Sequence, residues 1–245
     1  MKKITDLAVE LCADTSHSED GVSFDVQNFD NGIRKHVTHV KTAKAAKAVG
    51  KPVGVYCNVE VGSLIDAVDG VVDVLGTALF KFIEESGTCF TKLLVIGLGN
   101  NRFVADSLGP KVCEALRGSE KMATFSPSVS GITGIESVQA IQAISAMVKP
   151  SHVVVIDSLC CHEKERLGNN FQISSTGISP GSGVGRDNQK IDEGFLGVPV
   201  IALGVPLVIY MPSLHYVVPK TVDLIVSNCA ELIAGGIMKF VHPRQ

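Results

Sequence analysis

Two aspartates stand where apolar runs stop. Asp106 follows Leu93-Leu94-Val95-Ile96-Gly97 by way of the short loop 98–105, and Asp157 directly follows Ser151-His152-Val153-Val154-Val155-Ile156. Each run reads as a strand buried on both faces, the pattern of a parallel sheet. In open α/β sheets ligands sit just outside the carboxyl ends of the strands. Both acids are therefore expected at one rim. The chain between them is long enough for a helix, another strand and a further helix, so a βαβ relation is allowed. Paired carboxylates in one site push their pKa values apart, so that one acts as base on a water while the other protonates a carbonyl or a leaving amine. The same pair can hold a divalent metal instead. Periodicity alone does not separate the two chemistries. A single aspartate at a strand end is commonly a helix cap; two at equivalent strand ends are less easily explained that way.

Other motifs are weaker. Gly97-x-Gly99 after a strand suggests a dinucleotide fingerprint, but Arg102 occupies the place of the third glycine. Gly181-x-Gly183-x-Gly185 lacks the Gly-Lys-Ser/Thr of a phosphate loop. It can serve positive backbone angles, or let a peptide backbone approach an acid site closely. Neither a Gly-x-Ser-x-Gly elbow nor a His-Glu-x-x-His pair is present. The seven cysteines are scattered, with no Cys-x-x-Cys pair, and most are expected to be reduced, buried small hydrophobes. Cys160-Cys161-His162-Glu163 is the one cluster that suggests a metal or a nucleophile, and its Glu163 also reads as the start of the solvated run Glu163-Lys164-Glu165-Arg166.

The elements that must position these residues follow from pattern. The 245 residues suit one large α/β domain, residues 1–245. Hydrophobic residues make up 45%, aromatics only 5%, and there are 24 glycines, which fits a closely packed core with many tight turns. A formal charge of −3 gives no basic surface for nucleic acid. Met1-Lys2-Lys3 leads into Ile4-Thr5-Asp6 rather than an apolar run, so no secretory signal is expected. Val198 to Met211, read as the longest apolar stretch, is broken by Pro199, Gly204 and Pro206, so no membrane span is expected. Residues 21–29 and 33–40 alternate around Asp30-Asn31-Gly32 and predict an antiparallel hairpin. Helices are predicted over 42–50, 66–87, 110–117, 136–148 and 219–240, and further strands over 54–60, 93–96, 152–156, 171–174 and within 197–209. Alternating strands and helices predict a central sheet with helices on both faces.

An ordered set of segments then resembles the germination protease family of endospore-forming bacteria. They are Thr5-Asp6-Leu7-Ala8-Val9-Glu10, Gly50-Lys51-Pro52-Val53-Gly54, Ile96-Gly97-Leu98-Gly99-Asn100, Asp106-Ser107-Leu108-Gly109-Pro110, Gly131-Ile132-Thr133-Gly134-Ile135-Glu136, Ile156-Asp157-Ser158-Leu159, Gln172-Ile173-Ser174, Pro180-Gly181-Ser182-Gly183-Val184-Gly185 and the run from Leu196 to Pro206. Each is weak alone; in this order they cover nearly the whole chain.

The resemblance implies an endopeptidase that starts the degradation of small acid-soluble spore proteins, cutting after an acidic and before a hydrophobic residue. It implies a cytoplasmic setting in the spore core and a homo-oligomer. The fold it implies is a three-layer α/β/α sandwich with a mixed, mostly parallel central sheet, phosphorylase/hydrolase-like and related to the hydrogenase-maturation peptidases. The family's two essential aspartates match Asp106 and Asp157. No cofactor is required on this reading, although a divalent metal held by the same acids, with a histidine such as His162 as third ligand, is an alternative. Backbone amides around Gly131, Thr133 and Gly134, and around Gly181, Ser182 and Gly183, are expected to receive the peptide. The chain is shorter than is usual in the family, the gap falling between Pro206 and Val217, and little precedes Thr5-Asp6 to serve as a propeptide. Ser179 stands where the family has a histidine. A shortened homologue that binds spore proteins without cutting them is the non-enzymatic alternative.

Overall fold

Uninterrupted apolar runs become the middle of a sheet, because only there are both faces covered. A computed structural model of the chain describes residues 4–12, 21–62, 68–180 and 189–242. Among them, nine strands form one sheet: β1 (Val22–Asn28), β2 (Ile33–Val40), β3 (Gly54–Val61), β4 (Leu93–Gly97), β5 (Met122–Phe125), β6 (His152–Cys161), β7 (Asn170–Ser174), β8 (Val200–Met211) and β9 (His215–Val217). Their order is β1-β2-β3-β7-β8-β6-β4-β5, with β9 folded back onto β8. The strands β8, β6, β4 and β5 are mutually parallel. The predicted hairpin β1–β2 is present and continues antiparallel through β3 and β7 to β8. The sheet is mixed, as expected, but not mostly parallel: among the described strands five pairings are antiparallel and three parallel, because the amino-terminal hairpin extends through β3 and β7 onto β8.

Alternating side chains divide the core between the two faces. Leu93, Val95, Val154 and Ile156 point to one face, under α3 (Val68–Glu85), α4 (Leu108–Ala115) and α8 (Val222–Val241). Leu94, Ile96, Val153 and Val155 point to the other, under α6 (Ser137–Val148). On that same face Val40 and Tyr56 of the antiparallel half are covered by α1 (Ala8–Cys12) and α2 (Ala43–Val49). The result is the expected α/β/α sandwich.

Helix ends follow local chemistry. Thr42 caps α2 through its side chain, and Gly50 ends it in the left-handed region at φ 72°. The helix α4 begins at Leu108, two residues before its predicted start at Pro110; Pro110 then lies in the first turn, where its missing N–H costs nothing. The helix α8 is long and apolar enough to cross a membrane. Here Val226, Cys229, Ala230, Ile233 and Ile237 pack into the core beside α3 and α4.

One expectation is corrected. Asp157 does not end its strand: β6 runs on to Cys161, paired with β8 as far as Ile209. A register shift between Leu159 and Cys160 takes up the irregularity where Pro206 of β8 lacks a ladder donor. What stops near Asp157 is the neighbouring strand. The pairing of β4 with β6 ends at Gly97 opposite Ile156. Asp157 is the first residue of β6 past that point.

Candidate active site

With β4 gone, the flank of β6 beyond Ile156 opens into a cleft of about 790 Å3, lined by Asp106 and Asp157 together. The two aspartates singled out from sequence therefore share one rim. Two tight turns bring Asp106 there. Leu98 still donates its N–H to the Ile156 carbonyl (2.9 Å), and the chain then reverses at Gly99, φ 116°. A methyl on Gly99 would run into the Asp106 carbonyl, so only glycine fits between strand and turn. That carbonyl accepts the Asn100 N–H (2.8 Å), and the Asp106 N–H donates to the Phe103 carbonyl (2.8 Å), closing a 3-10 turn over Val104–Asp106. Asp106 lies one residue before Ser107, the N-cap of α4, near the helix end whose dipole attracts negative charge.

The surroundings of the two acids differ. Asp157 is only 8% exposed, and its Oδ1 accepts the N–H of Ser158 (2.8 Å). Burial, then the nearby Asp106, then Asp6, push its carboxyl well above the usual carboxylate range, against the pull of the Ser158 N–H. Asp106 is half-buried in the turn. Gly204, the register partner of Asp157 on β8, carries no side chain against it. Apolar walls flank the acids, among them Leu98, Val129, Ile178, Phe195 and Val208, with Phe103 at the mouth, 67% exposed.

The loop residues fall less neatly. Ser130–Thr133 forms a single helical turn, α5, closed by Gly134 at φ 72°. Its start, Val129 and Ser130, lines the cleft together with Glu136–Gln139, while Gly131, Thr133 and Gly134 are exposed and are not part of the lining. Gly181, Ser182 and Gly183 lie outside the described residues. Ser179 and Pro180, just before them, line the cleft.

Sequence reasoning passed over Asp6, which lines the same cleft. It precedes α1 and reads locally as a helix-entrance residue, because nothing in its neighbours shows that it docks on β6. Its Oδ2 accepts the Cys160 N–H (2.9 Å). A smaller cavity of about 220 Å3 adjoins the cleft, sharing Asp6, Leu159, Ile178 and Ser179 and adding Lys51 and Lys190. The Lys51 ammonium donates to the Asp6 carbonyl (2.6 Å), and Lys190 pairs with Asp192 (3.0 Å).

Five of the seven cysteines are buried, as expected of most of them; Cys113 is half-buried and Cys89 exposed. Cys160 borders the cleft, but burial and the charges of Asp6 and Glu10 push its thiol up to about 12, which leaves no thiolate at neutral pH. His162 is not part of the cleft lining; its N–H is bonded to Glu10 (2.8 Å). Among the described residues no group of three His, Cys, Asp or Glu side chains is arranged to hold a metal.

Fold and cleft together define an α/β/α protein with a carboxylate-lined cleft at the carboxyl rim of its parallel strands. The chain belongs to the germination protease family: the family model matches residues 4–215. A germination protease of Clostridium perfringens is 36% identical over 84% of this chain and 70% of its own length. One from Caldanaerobacter subterraneus subsp. tengcongensis is 35% identical over 93% and 74%, and one from Bacillus cereus 33% identical over 95% and 69%. Among solved structures, a NiFe hydrogenase maturation protease from Thermococcus kodakarensis aligns with 65% of this chain and 98% of its own, at 18% identity and a TM-score of 0.45.

Proposed function

We propose that this protein is an endopeptidase of the spore core that begins the breakdown of small acid-soluble spore proteins at germination, with Asp106 and Asp157 as its acid–base pair. Membership of a peptidase family supports the reaction class. The observation that carries the assignment is the shared cleft, in which two acids from separate elements have unequal surroundings. The half-buried Asp106 is the base and the buried Asp157 the acid. An extended peptide lies along the cleft with its scissile carbonyl between them. Asp106 takes a proton from water as the water oxygen attacks the carbonyl carbon. Asp157 gives its proton to the carbonyl oxygen. Asp106 then passes its proton to the amide nitrogen as the C–N bond breaks, and Asp157 takes back a proton from a hydroxyl of the tetrahedral intermediate, giving a carboxylic acid and an amine with both aspartates restored. The apolar wall and Phe103 suit a hydrophobic side chain of the substrate.

The test is direct. Purified protein is incubated with a small acid-soluble spore protein, beside Asp106→Asn and Asp157→Asn. Specific cuts in the wild type and none in either variant are expected. Cutting that persists in both variants rejects the pair. Cutting abolished by chelator and restored by one metal replaces acid–base catalysis by a metal-assisted reaction at the same cleft. Tight binding without turnover selects the non-enzymatic homologue.

A further inference from the structure

We infer that the substrate is held as an added strand on β6, its main chain pairing with the N–H and carbonyl of Ser158. The inference rests on the peptide substrate proposed above and says what grips it. In a strand, the main-chain groups of successive residues point to opposite neighbours. On β6 the Val153 N–H donates to the Pro199 carbonyl on the β8 side (3.0 Å), and the Ile156 carbonyl accepts the Leu98 N–H on the β4 side (2.9 Å). Even-numbered residues of β6 therefore face β4, and the last of them to find it is Ile156, opposite Gly97. Ser158 is next on that flank. Four consecutive residues of the strand, Asp157 to Cys160, line the cleft, so one of its walls is a strand edge.

Edges of this kind are normally covered, because unpaired main-chain groups recruit other chains. Here the cover is a single side chain. The Ser158 N–H is taken by Oδ1 of the preceding Asp157 (2.8 Å), and among the described residues no donor reaches the Ser158 carbonyl from the cleft side. Two residues on, Cys160 is already bonded on this flank, by Asp6. The open rung is at Ser158, next to one acid of the pair. An extended peptide lying where β4 would have continued can donate an N–H to the Ser158 carbonyl and accept the Ser158 N–H on a carbonyl of its own, the way sheet edges bind peptides. Taking that N–H frees Asp157 Oδ1 to face the reacting carbonyl. The occupant is one chain rather than the sheet of a second copy: a cleft of about 790 Å3, walled by Val129, Ile178 and Phe195, suits a few extended residues. Main-chain bonds then carry affinity, and selection among side chains falls to the apolar walls.

Binding is read in Asp106→Asn protein, so that the peptide is not consumed. The probe is a synthetic peptide centred on an acidic residue followed by an aliphatic one, with a set of analogues each N-methylated at one residue. An N-methyl group removes one main-chain donor and keeps every side chain. Methylation at one residue, or at residues two apart, is expected to weaken binding about tenfold or more, the size of one lost main-chain hydrogen bond, while methylation at the residues on either side is tolerated. Labelling with carbonyl-carbon-13 aspartate and nitrogen-15 serine marks Asp–Ser pairs in NMR spectra, and with Asp106 replaced Asp157-Ser158 is the only such pair in the chain. Its amide signal is expected to shift, and to exchange more slowly with solvent, when the peptide binds. Equal losses at adjacent residues, an unmoved Ser158 amide, or no binding of the peptide overturns the inference. Neither readout needs turnover. A wild-type protein that holds the peptide by alternate N–H groups yet cuts nothing would keep the added strand and defeat the peptidase reading.

Discussion

The two ends of β6 handle buried polar groups in opposite ways. At the amino end His152 is fully buried, with Nε2 on the Ser86 hydroxyl (2.9 Å) and Nδ1 on the Ser151 hydroxyl (3.1 Å). Each hydroxyl is tied onward to backbone: Ser86 to the Ile83 carbonyl and Ser151 to the Lys92 carbonyl. That end is a closed hydrogen-bonded joint between β6, α3 and the approach to β4. Past the middle of the same strand, Asp157 is buried beside other acids, and the neighbouring Ser158 hydroxyl is buried with no partner among the described residues. Buried polar groups that serve structure are mostly satisfied, and strained ones are enriched at functional sites. One strand thus carries both a fastening and the proposed site.

Breaking the site end gives the largest effect. Asp106→Asn or Asp157→Asn is expected to lower kcat for spore-protein cleavage by about 100-fold to 10,000-fold, the range of a lost general acid or base, with the folded structure retained. Gly99→Ala comes next. It places a methyl against the Asp106 carbonyl at a backbone angle only glycine favours, so a loss of about 1–3 kcal/mol in denaturant unfolding is expected, together with reduced cleavage. Ser86→Ala at the opposite end removes a partner of the buried His152. It is expected to cost about 1–3 kcal/mol in stability while leaving kcat/KM per folded molecule unchanged. A matching loss of activity would show that the two ends are not separable.

The smallest effect is in pH. Burial lowers the His152 pKa from 6.5, so its folded form binds a proton less readily than the unfolded chain. Its contribution to stability is full above pH 6.5 and is lost as pH falls below it. Asp157 has the opposite sign: its folded pKa is raised above 3.8, so the cost it imposes grows as pH rises from 3.8 through the folded value. Thermal unfolding of Asp157→Asn beside wild type is expected to show no gain at the acid end and a growing gain toward neutral pH. A gain independent of pH would mean that the carboxyl is not strained by burial.

Much of this contrast is legible in the sequence. The apolar runs into Gly97 and Asp157 mark the central strands, and alternation around Asp30-Asn31-Gly32 marks the hairpin. The pairing of Asp106 with Asp157 follows from those strands, although for a reason that needs revising. Asp157 reaches the rim because β4 stops pairing, and a stop in a neighbouring strand leaves no trace in the local sequence of β6. The strand β5, four residues of Met-Ala-Thr-Phe, is too short to show a period. Thr133 and its flanking glycines suggest an open peptide-binding loop, but the turn of α5 directs them outward and brings Val129 and Ser130 to the cleft. Asp6 depends on hydrogen bonds to residues far along the chain, which pattern cannot reveal.

The most direct test of the central claim is a double-variant cycle on spore-protein cleavage, with Asp106→Asn, Asp157→Asn and both together. Two acids that act on one water and one carbonyl are a unit, so the double variant is expected to be no slower than the worse single variant. Losses that multiply would show that the two aspartates act independently, and the shared cleft would then not be one catalytic centre.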